Sequence, residues 1–243
     1  MNPILNRLDK LLQALLSPRL LGALLRHRVL AGAEHRRVLS RQLNTVVDIG
    51  ANRGQFSLAA RRWAPAARVE AFEPLPGPAD VFRRVFEGDD GVRLHPSAIG
   101  PAAETRTMHV SARDDSSSLL PISAAQTTMF PGTWEAGLAS VSVAPLDAFL
   151  GTDDIVAPAM LKLDVQGYEL EALRGCETLL DAFDWVYCEC SFVEFYTGQR
   201  LADEVVAWLA DRDFRLEGTF NPARDGGRTV QADFLFRRQG AAS

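Results

Sequence analysis

Five acidic residues stand on or at the ends of apolar, strand-like runs. Asp48 lies in Val46-Val47-Asp48-Ile49-Gly50, and Glu73 closes Val69-Glu70-Ala71-Phe72-Glu73. Asp164 closes Met160-Leu161-Lys162-Leu163-Asp164, Glu189 falls near the end of the run that starts at residue 184, and Asp233 sits in Thr229-Val230-Gln231-Ala232-Asp233-Phe234-Leu235-Phe236. Carboxylates at the carboxyl edge of a parallel sheet can accept a ribose diol, take a proton or hold a cation. Glycine accompanies the first of them: Asp48-x-Gly50-x-Asn52-x-Gly54 follows a strand and precedes a helix. Glycines in such a turn let the backbone come close to a ligand where a Cβ would clash. The competing structural reading is a strand-to-helix turn with incidental glycines.

A dinucleotide pocket asks for G-x-G-x-x-G, with a pyrophosphate on the helix N-terminus. This chain lacks that spacing and carries Asp48 ahead of Gly50, where a carboxylate repels a pyrophosphate and suits a cationic ligand such as the amino and sulfonium groups of S-adenosylmethionine. The pattern D-x-G-x-x-x-G resembles motif I of class I methyltransferases. Glu73 lies one βαβ unit downstream, where it can hold a ribose diol. The expected cofactor site is therefore Asp48, Gly50, Ala51, Asn52, Gly54 and Glu73, with Ser97 and Ala98 along the adenine and Asp164 at the methyl group.

The second informative stretch is Leu161-Lys162-Leu163-Asp164-Val165-Gln166-Gly167-Tyr168-Glu169. Strand alternation puts Lys162 and Asp164 on one face, and Asp164 ends its strand beside the crevice. Its structural alternative is a helix cap or a partner for Lys162. The stretch resembles the K-I-D-V-E-G-x-E signature of the FkbM family of S-adenosylmethionine-dependent methyltransferases, with Gln166 where many members carry Glu. The resemblance continues through Ser97-Ala98-Ile99-Gly100, Ser116-Ser117-Ser118-Leu119, Val143-x-x-Leu146-Asp147, Glu189-x-Ser191-Phe192, Tyr196-x-Gly198 and Asp233-x-Leu235-Phe236, and spans roughly residues 44–238. It implies methyl transfer to oxygen, on a hydroxyl of a sugar, glycolipid or glycosylated natural product. Asp164, Glu189 and Asp233 are the expected catalytic acids: one could serve as base, or Asp164 and Glu189 could hold a divalent Mg, Ca or Mn ion that lowers the hydroxyl pKa. His95 and His109 are alternative bases. A methyltransferase with a nitrogen or other small-molecule acceptor, a NAD-binding dehydrogenase and a non-catalytic module on the same fold remain open alternatives.

These residues need a doubly wound, mostly parallel α/β sheet to position them. Strands are expected near 45–49, 68–73, 91–98, 159–164 and 184–190, and helices near 54–64, 76–87, 168–181 and 200–211. A hairpin over 214–220 and 229–236 places an antiparallel strand at the end of the sheet, the usual finish of the class I methyltransferase fold. Between about 100 and 146 the alternation stops. Thr105–Val110 reads as a strand, and the segment around Ser116–Pro131 reads as a lid that moves over the acceptor.

The 243 residues and 47% apolar composition suffice for one α/β domain. Residues 42–240 are expected to form it. Residues 1–41 read as a basic, Leu-rich helical extension, with eight Lys/Arg against two acids, which leaves −11 for the rest of the chain. Two helices there pack on the sheet or on a second copy, or touch anionic lipid as a peripheral membrane contact. The acidic remainder argues against nucleic acid as a partner. No signal peptide and no spanning segment are legible. Cys176, Cys188 and Cys190 lack metal-ligand spacing and read as buried thiols of a reducing, cytoplasmic compartment.

Overall fold

The computed structural model describes residues 3–240. Two helices, α1 (Pro3–Leu15) and α2 (Pro18–His27), a single 3-10 turn at Ala33–His35 and a short α3 (Arg36–Leu39) precede the first strand. Pro18 takes the first position of α2, where its missing N–H costs nothing, while Ser17 makes no side-chain cap.

From Thr45 the chain alternates. β1 (Thr45–Ile49), α4 (Gln55–Trp63), β2 (Arg68–Phe72), α5 (Pro76–Val85) and β3 (Val92–His95) form one half of a seven-stranded sheet. The other half comprises β7 (Ala159–Leu163), α7 (Glu169–Gly175), β8 (Trp185–Ser191), α8 (Ala202–Ala210), β9 (Phe214–Asp225) and β10 (Arg228–Arg238). The strand order is β3-β2-β1-β7-β8-β10-β9, parallel except for β10, which runs against both its neighbours. The order reverses direction between β1 and β7, so the crevice falls at the carboxyl ends of those two strands.

Each face of the sheet carries its own core. Val47, Ile49, Leu161, Leu163, Val186 and Cys188 point to one face, beneath α7, α8 and a second sheet. Val46, Met160, Tyr187 and Leu235 point to the other, where α4 packs together with Ala14, Leu20, Ala23, Val38 and Leu39 of the N-terminal segment. The helical extension thus shares the core of the sheet. Leu8, Leu12, Leu15, Leu16 and Leu25 remain exposed on its outer side.

The region between β3 and β7 is a three-stranded sheet, built from β4 (Ala98–Ile99), β5 (Glu104–Ser111) and β6 (Glu135–Ala144) in the order β4-β6-β5. The segment expected to serve as a lid is tied down. Ser118 bridges to His109 and its Oγ donates to the Gln166 carbonyl at 2.6 Å. Ile122 bridges to Tyr196, and Ser123 caps α6 (Ala124–Met129) through the Gln126 N–H. Serines 116–118 are buried, so the segment forms a wall of the crevice.

Candidate active site

The sheet register sets four of the five expected acids, all but Asp48, in one row. Ile49 is level with Phe72 on β2 and Leu163 on β7, and Leu163 is level with Cys188 on β8. The next residue on each strand is Glu73, Gly50, Asp164 and Glu189, and Glu189 pairs directly with Asp233 on β10. Above this row lies a cleft of about 350 Å³. Its lining includes Gly50, Ala51, Asn52, Glu73, Ala98, Asp164 and Glu189 from the expected site.

The turn after β1 is fixed from beneath. Lys162, 4% exposed, donates from Nζ to Asp48 Oδ1 at 2.8 Å and to the carbonyls of Gly50 at 2.9 Å and Ile49 at 3.2 Å. Ser57 Oγ donates to the other oxygen of Asp48 at 2.7 Å. Burial pushes Lys162 toward neutrality, but the charges of Asp48, Asp164 and Glu189 outweigh it and hold it charged. Gly50 has φ +76°, and a Cβ there would run into the Asp164 carbonyl, so glycine is required by the approach of two loops. Glu73 receives the Asn52 N–H at 3.0 Å on one oxygen and the Leu75 N–H at 2.8 Å on the other. Burial, partly offset by those two bonds, raises its pKa to about 7.

Four expected site residues stand elsewhere. Asp48 is fully buried with both oxygens occupied by Lys162 and Ser57, and it shapes the turn from behind. Gly54, at φ +94°, faces Phe82 and Phe86, against which its Cβ would collide, so it serves helix packing. Ser97 is buried and its hydroxyl is spent on the carbonyls of Ala98 and Ser142. Asp233 lies behind the cleft wall, its Oδ2 receiving the Tyr187 hydroxyl at 2.7 Å and Asn221 Nδ2 at 2.8 Å.

At the other end, Gln166 holds the two remaining acids together. Its Nε2 donates to Asp164 Oδ1 at 2.7 Å and to Glu189 Oε2 at 3.0 Å, and its Oε1 accepts the Tyr196 hydroxyl at 2.7 Å. Gln166 keeps φ +55°, a left-handed conformation uncommon for a side-chain-bearing residue and held here by those bonds. Glu189 Oε2 also receives Gln231 Nε2 at 2.8 Å. Burial first, and the neighbouring acids second, push Glu189 well above the usual carboxylate range. Burial likewise raises Asp164, against the pull of Lys162 and Gln166. Glu169 organises the loop below, its Oε1 accepting the N–H groups of Val165 and Gly167, each at 3.1 Å.

These contacts do not make a cation site. The amide of Gln166 stands between Asp164 and Glu189, and among the described residues no group of three His, Cys, Asp or Glu could hold a metal ion. The expectation of a divalent ion at Asp164 and Glu189 is corrected accordingly. Neither expected histidine lines the cleft. His95 bonds Glu70 at 2.8 Å and stacks on Phe72, and His109 bonds Glu135 at 2.5 Å on the second sheet. The histidine that does line it is His35, beside Lys10 and Glu34 of the N-terminal segment. Its sequence neighbourhood, Gly32-Ala33-Glu34-His35, carries no periodicity that would have pointed to a site.

A mostly parallel sheet in this order, with one antiparallel strand inserted next to the edge and a Gly turn after its central strand, defines the class I methyltransferase architecture. The sequence profile described as Methyltransferase FkbM domain matches residues 48–216. The chain belongs to that family, whose members are S-adenosylmethionine-dependent. It is similar to "Methyltransferase 1" of Beauveria bassiana (strain ARSEF 2860), at 27% identity over 154 residues that make up 54% of this chain and 58% of that relative. The chain thus spans less than two thirds of that relative's length. Similar solved structures include an rRNA methylase from Streptococcus thermophilus, with 11% identity, 84% of this chain and 93% of that chain covered, and a TM-score of 0.47. Another is magnesium protoporphyrin IX methyltransferase from Synechocystis PCC 6803 with bound S-adenosylmethionine, with 11% identity, 86% and 81% covered, and a TM-score of 0.48. At those scores they add nothing to the strand order. Among the described residues no helix is long and apolar enough to cross a membrane.

Proposed function

We propose that this chain transfers the methyl group of S-adenosylmethionine to a hydroxyl oxygen of a sugar, glycolipid or glycosylated natural product. The observation that carries this reading is the contrast between the two ends of one cleft. One end is a backbone turn, Gly50–Asn52, beside a buried carboxylate, Glu73, with apolar Ala98 and Ile99 nearby. The other holds Asp164, Glu189, Gln166 and Gln231, plus Gln126, whose buried Oε1 has no hydrogen-bond partner. A nucleoside fits the first end, and a polyhydroxyl acceptor fits acids and amides at the second.

Glu73 would hold the ribose diol, with lone pairs left over after the bonds from Asn52 and Leu75. Asp164 would face the cationic sulfonium, and Glu189 would orient the acceptor. The bound cofactor supplies a methyl group on a sulfonium that is already a good leaving group, so the protein's part is largely alignment of the two reactants. The exposed leucines and excess Lys/Arg of the N-terminal helices suit a lipid-linked acceptor at an anionic surface. Incubation with deuteromethyl S-adenosylmethionine and a panel of hexosides and glycolipids, followed by product mass analysis, tests the reading. A labelled methyl ether is expected, and label found only on nitrogen would favour the other acceptor class.

The pKa of Glu73 gives a second test. Below pH 7 the carboxyl is mostly protonated, and above it mostly ionised. The ionised form accepts both diol hydroxyls, so S-adenosylhomocysteine affinity should rise about tenfold between pH 6 and pH 8 and then level off. Titration calorimetry reads this directly. Glu73→Gln should flatten the profile, and a flat profile in the unaltered protein would take Glu73 out of the nucleoside contact.

A further inference from the structure

We propose that His35 is the base that removes the acceptor proton, and that Tyr187 and Asp233 position it. This rests on the reading of the cleft as the methyl-transfer site. His35 lines the cleft from the N-terminal segment, which precedes the residues matched to the family. Its Nδ1 lies 3.0 Å from the Tyr187 oxygen, and the Tyr187 hydroxyl donates to Asp233 Oδ2 at 2.7 Å. A phenol has one proton. Once that proton is given to Asp233, the Tyr187 oxygen can only accept, so Nδ1 of His35 must carry a hydrogen. The proton of a neutral imidazole is then fixed on Nδ1, and Nε2 keeps its lone pair. Burial and the charge of Asp233 hold the Tyr187 phenol in its protonated form.

The surroundings fix the ring as well as its tautomer. His35 packs edge-on against Phe56, with centroids 5.1 Å apart, and against Tyr187, 5.6 Å apart. Residue 32 is glycine, and a Cβ there would press on the ring within 2.6 Å of Cδ2 and 3.2 Å of Nε2. Nε2 is 3.8 Å from Glu34 Oε1, which is engaged by Lys10 at 2.6 Å. The other oxygen of Glu34, buried on the same wall, has no hydrogen-bond partner. A bare lone pair on the nitrogen of a cleft-lining imidazole is a site for a hydroxyl group. Asp164 Oδ1 and Glu189 Oε2 are engaged by Gln166 and Gln231, and the imidazole adds a nitrogen acceptor to the cleft beside them. As the acceptor oxygen bonds to the methyl carbon, the carbon–sulfur bond breaks with its electron pair on sulfur. The hydroxyl proton passes to Nε2 and from there to solvent.

Two measurements test this. In protein labelled with 15N-histidine, a long-range 1H–15N spectrum reports the tautomer of each of the four histidines, and His35→Gln assigns the signal. His35 should show Nδ1–H with a bare Nε2, and Tyr187→Phe should abolish that preference, since Asp233 Oδ2 lies 3.7 Å from Nδ1, too far to replace the bond. A proton on Nε2, or a tautomer indifferent to Tyr187→Phe, overturns the proposal without reference to any acceptor. In turnover, His35→Ala should lower kcat about 10²–10³-fold with S-adenosylhomocysteine affinity within about threefold, and added imidazole should restore part of the rate. Normal turnover by His35→Ala overturns the base while leaving the methyltransferase reading intact. Failure of the unaltered protein to bind S-adenosylhomocysteine is the separate result that sinks the latter.

Discussion

Lys162→Met should destabilise the protein by about 3–5 kcal/mol, the usual effect of removing one partner from a buried ion pair. Asp48 is fully buried, and without Lys162 its charge keeps only the hydroxyl of Ser57. The same substitution frees the carbonyls of Ile49 and Gly50, which Lys162 holds at the start of the ligand-facing turn. Cofactor affinity should therefore fall even where the variant is folded. Urea unfolding followed by tryptophan fluorescence measures the first effect, and S-adenosylhomocysteine calorimetry the second. Asp48→Asn added to Lys162→Met should recover most of the lost stability, because it removes the stranded charge. A loss below about 1 kcal/mol in the single variant would mean that the pair is not the prop under the turn.

Asp164→Asn separates chemistry from folding. Asparagine keeps the shape and the oxygen that accepts from Gln166, and it removes a charge whose ionised form burial already disfavours. Stability should be unchanged or slightly higher. Turnover should fall about 10²-fold or more, the scale of losing one preorganised electrostatic contact at a reacting centre. Affinity for S-adenosylhomocysteine, which lacks the sulfonium charge, should stay within about threefold. Asp164 is placed for this role by register, since it continues β7 next to Gly50 with its N–H bonded to the Ile49 carbonyl at 3.2 Å. Normal turnover by Asp164→Asn would leave alignment and His35 as the sources of catalysis.

The parallel sheet and its acidic edge were legible because buried central strands are short apolar runs bounded by turn residues. Val46–Ile49, Met160–Leu163 and the run from 185 are each covered on both faces, so composition alone marks them. β6 was not legible. Its residues Glu135–Ser140 are mostly exposed and small, with no alternation to read, and only Val141 and Val143 of the strand are fully buried. The same silence concealed the second sheet and made a docked wall look like a loop. Within the site, the position of a carboxylate at a strand end could be read, but its direction could not. Asp48 and Lys162 both occupy the face beneath the turn, which makes them partners, whereas D-x-G in the sequence suggests a ligand contact. Asp233 does stand beside Glu189 along the sheet, but its Oδ2 is held by the Tyr187 hydroxyl and the Asn221 amide, and it does not line the cleft. His35 and Gln166 owe their roles to contacts with residues more than a hundred and about twenty positions away, respectively, and no local pattern encodes those.

The most direct test of methyl transfer to a hydroxyl is the position of label in the product. With deuteromethyl S-adenosylmethionine and a glycan acceptor, tandem mass spectrometry should find one deuteromethyl group per product on a sugar oxygen, formed in step with S-adenosylhomocysteine. Label on nitrogen, or S-adenosylhomocysteine released with no labelled acceptor across the hexoside and glycolipid panel, would contradict the account.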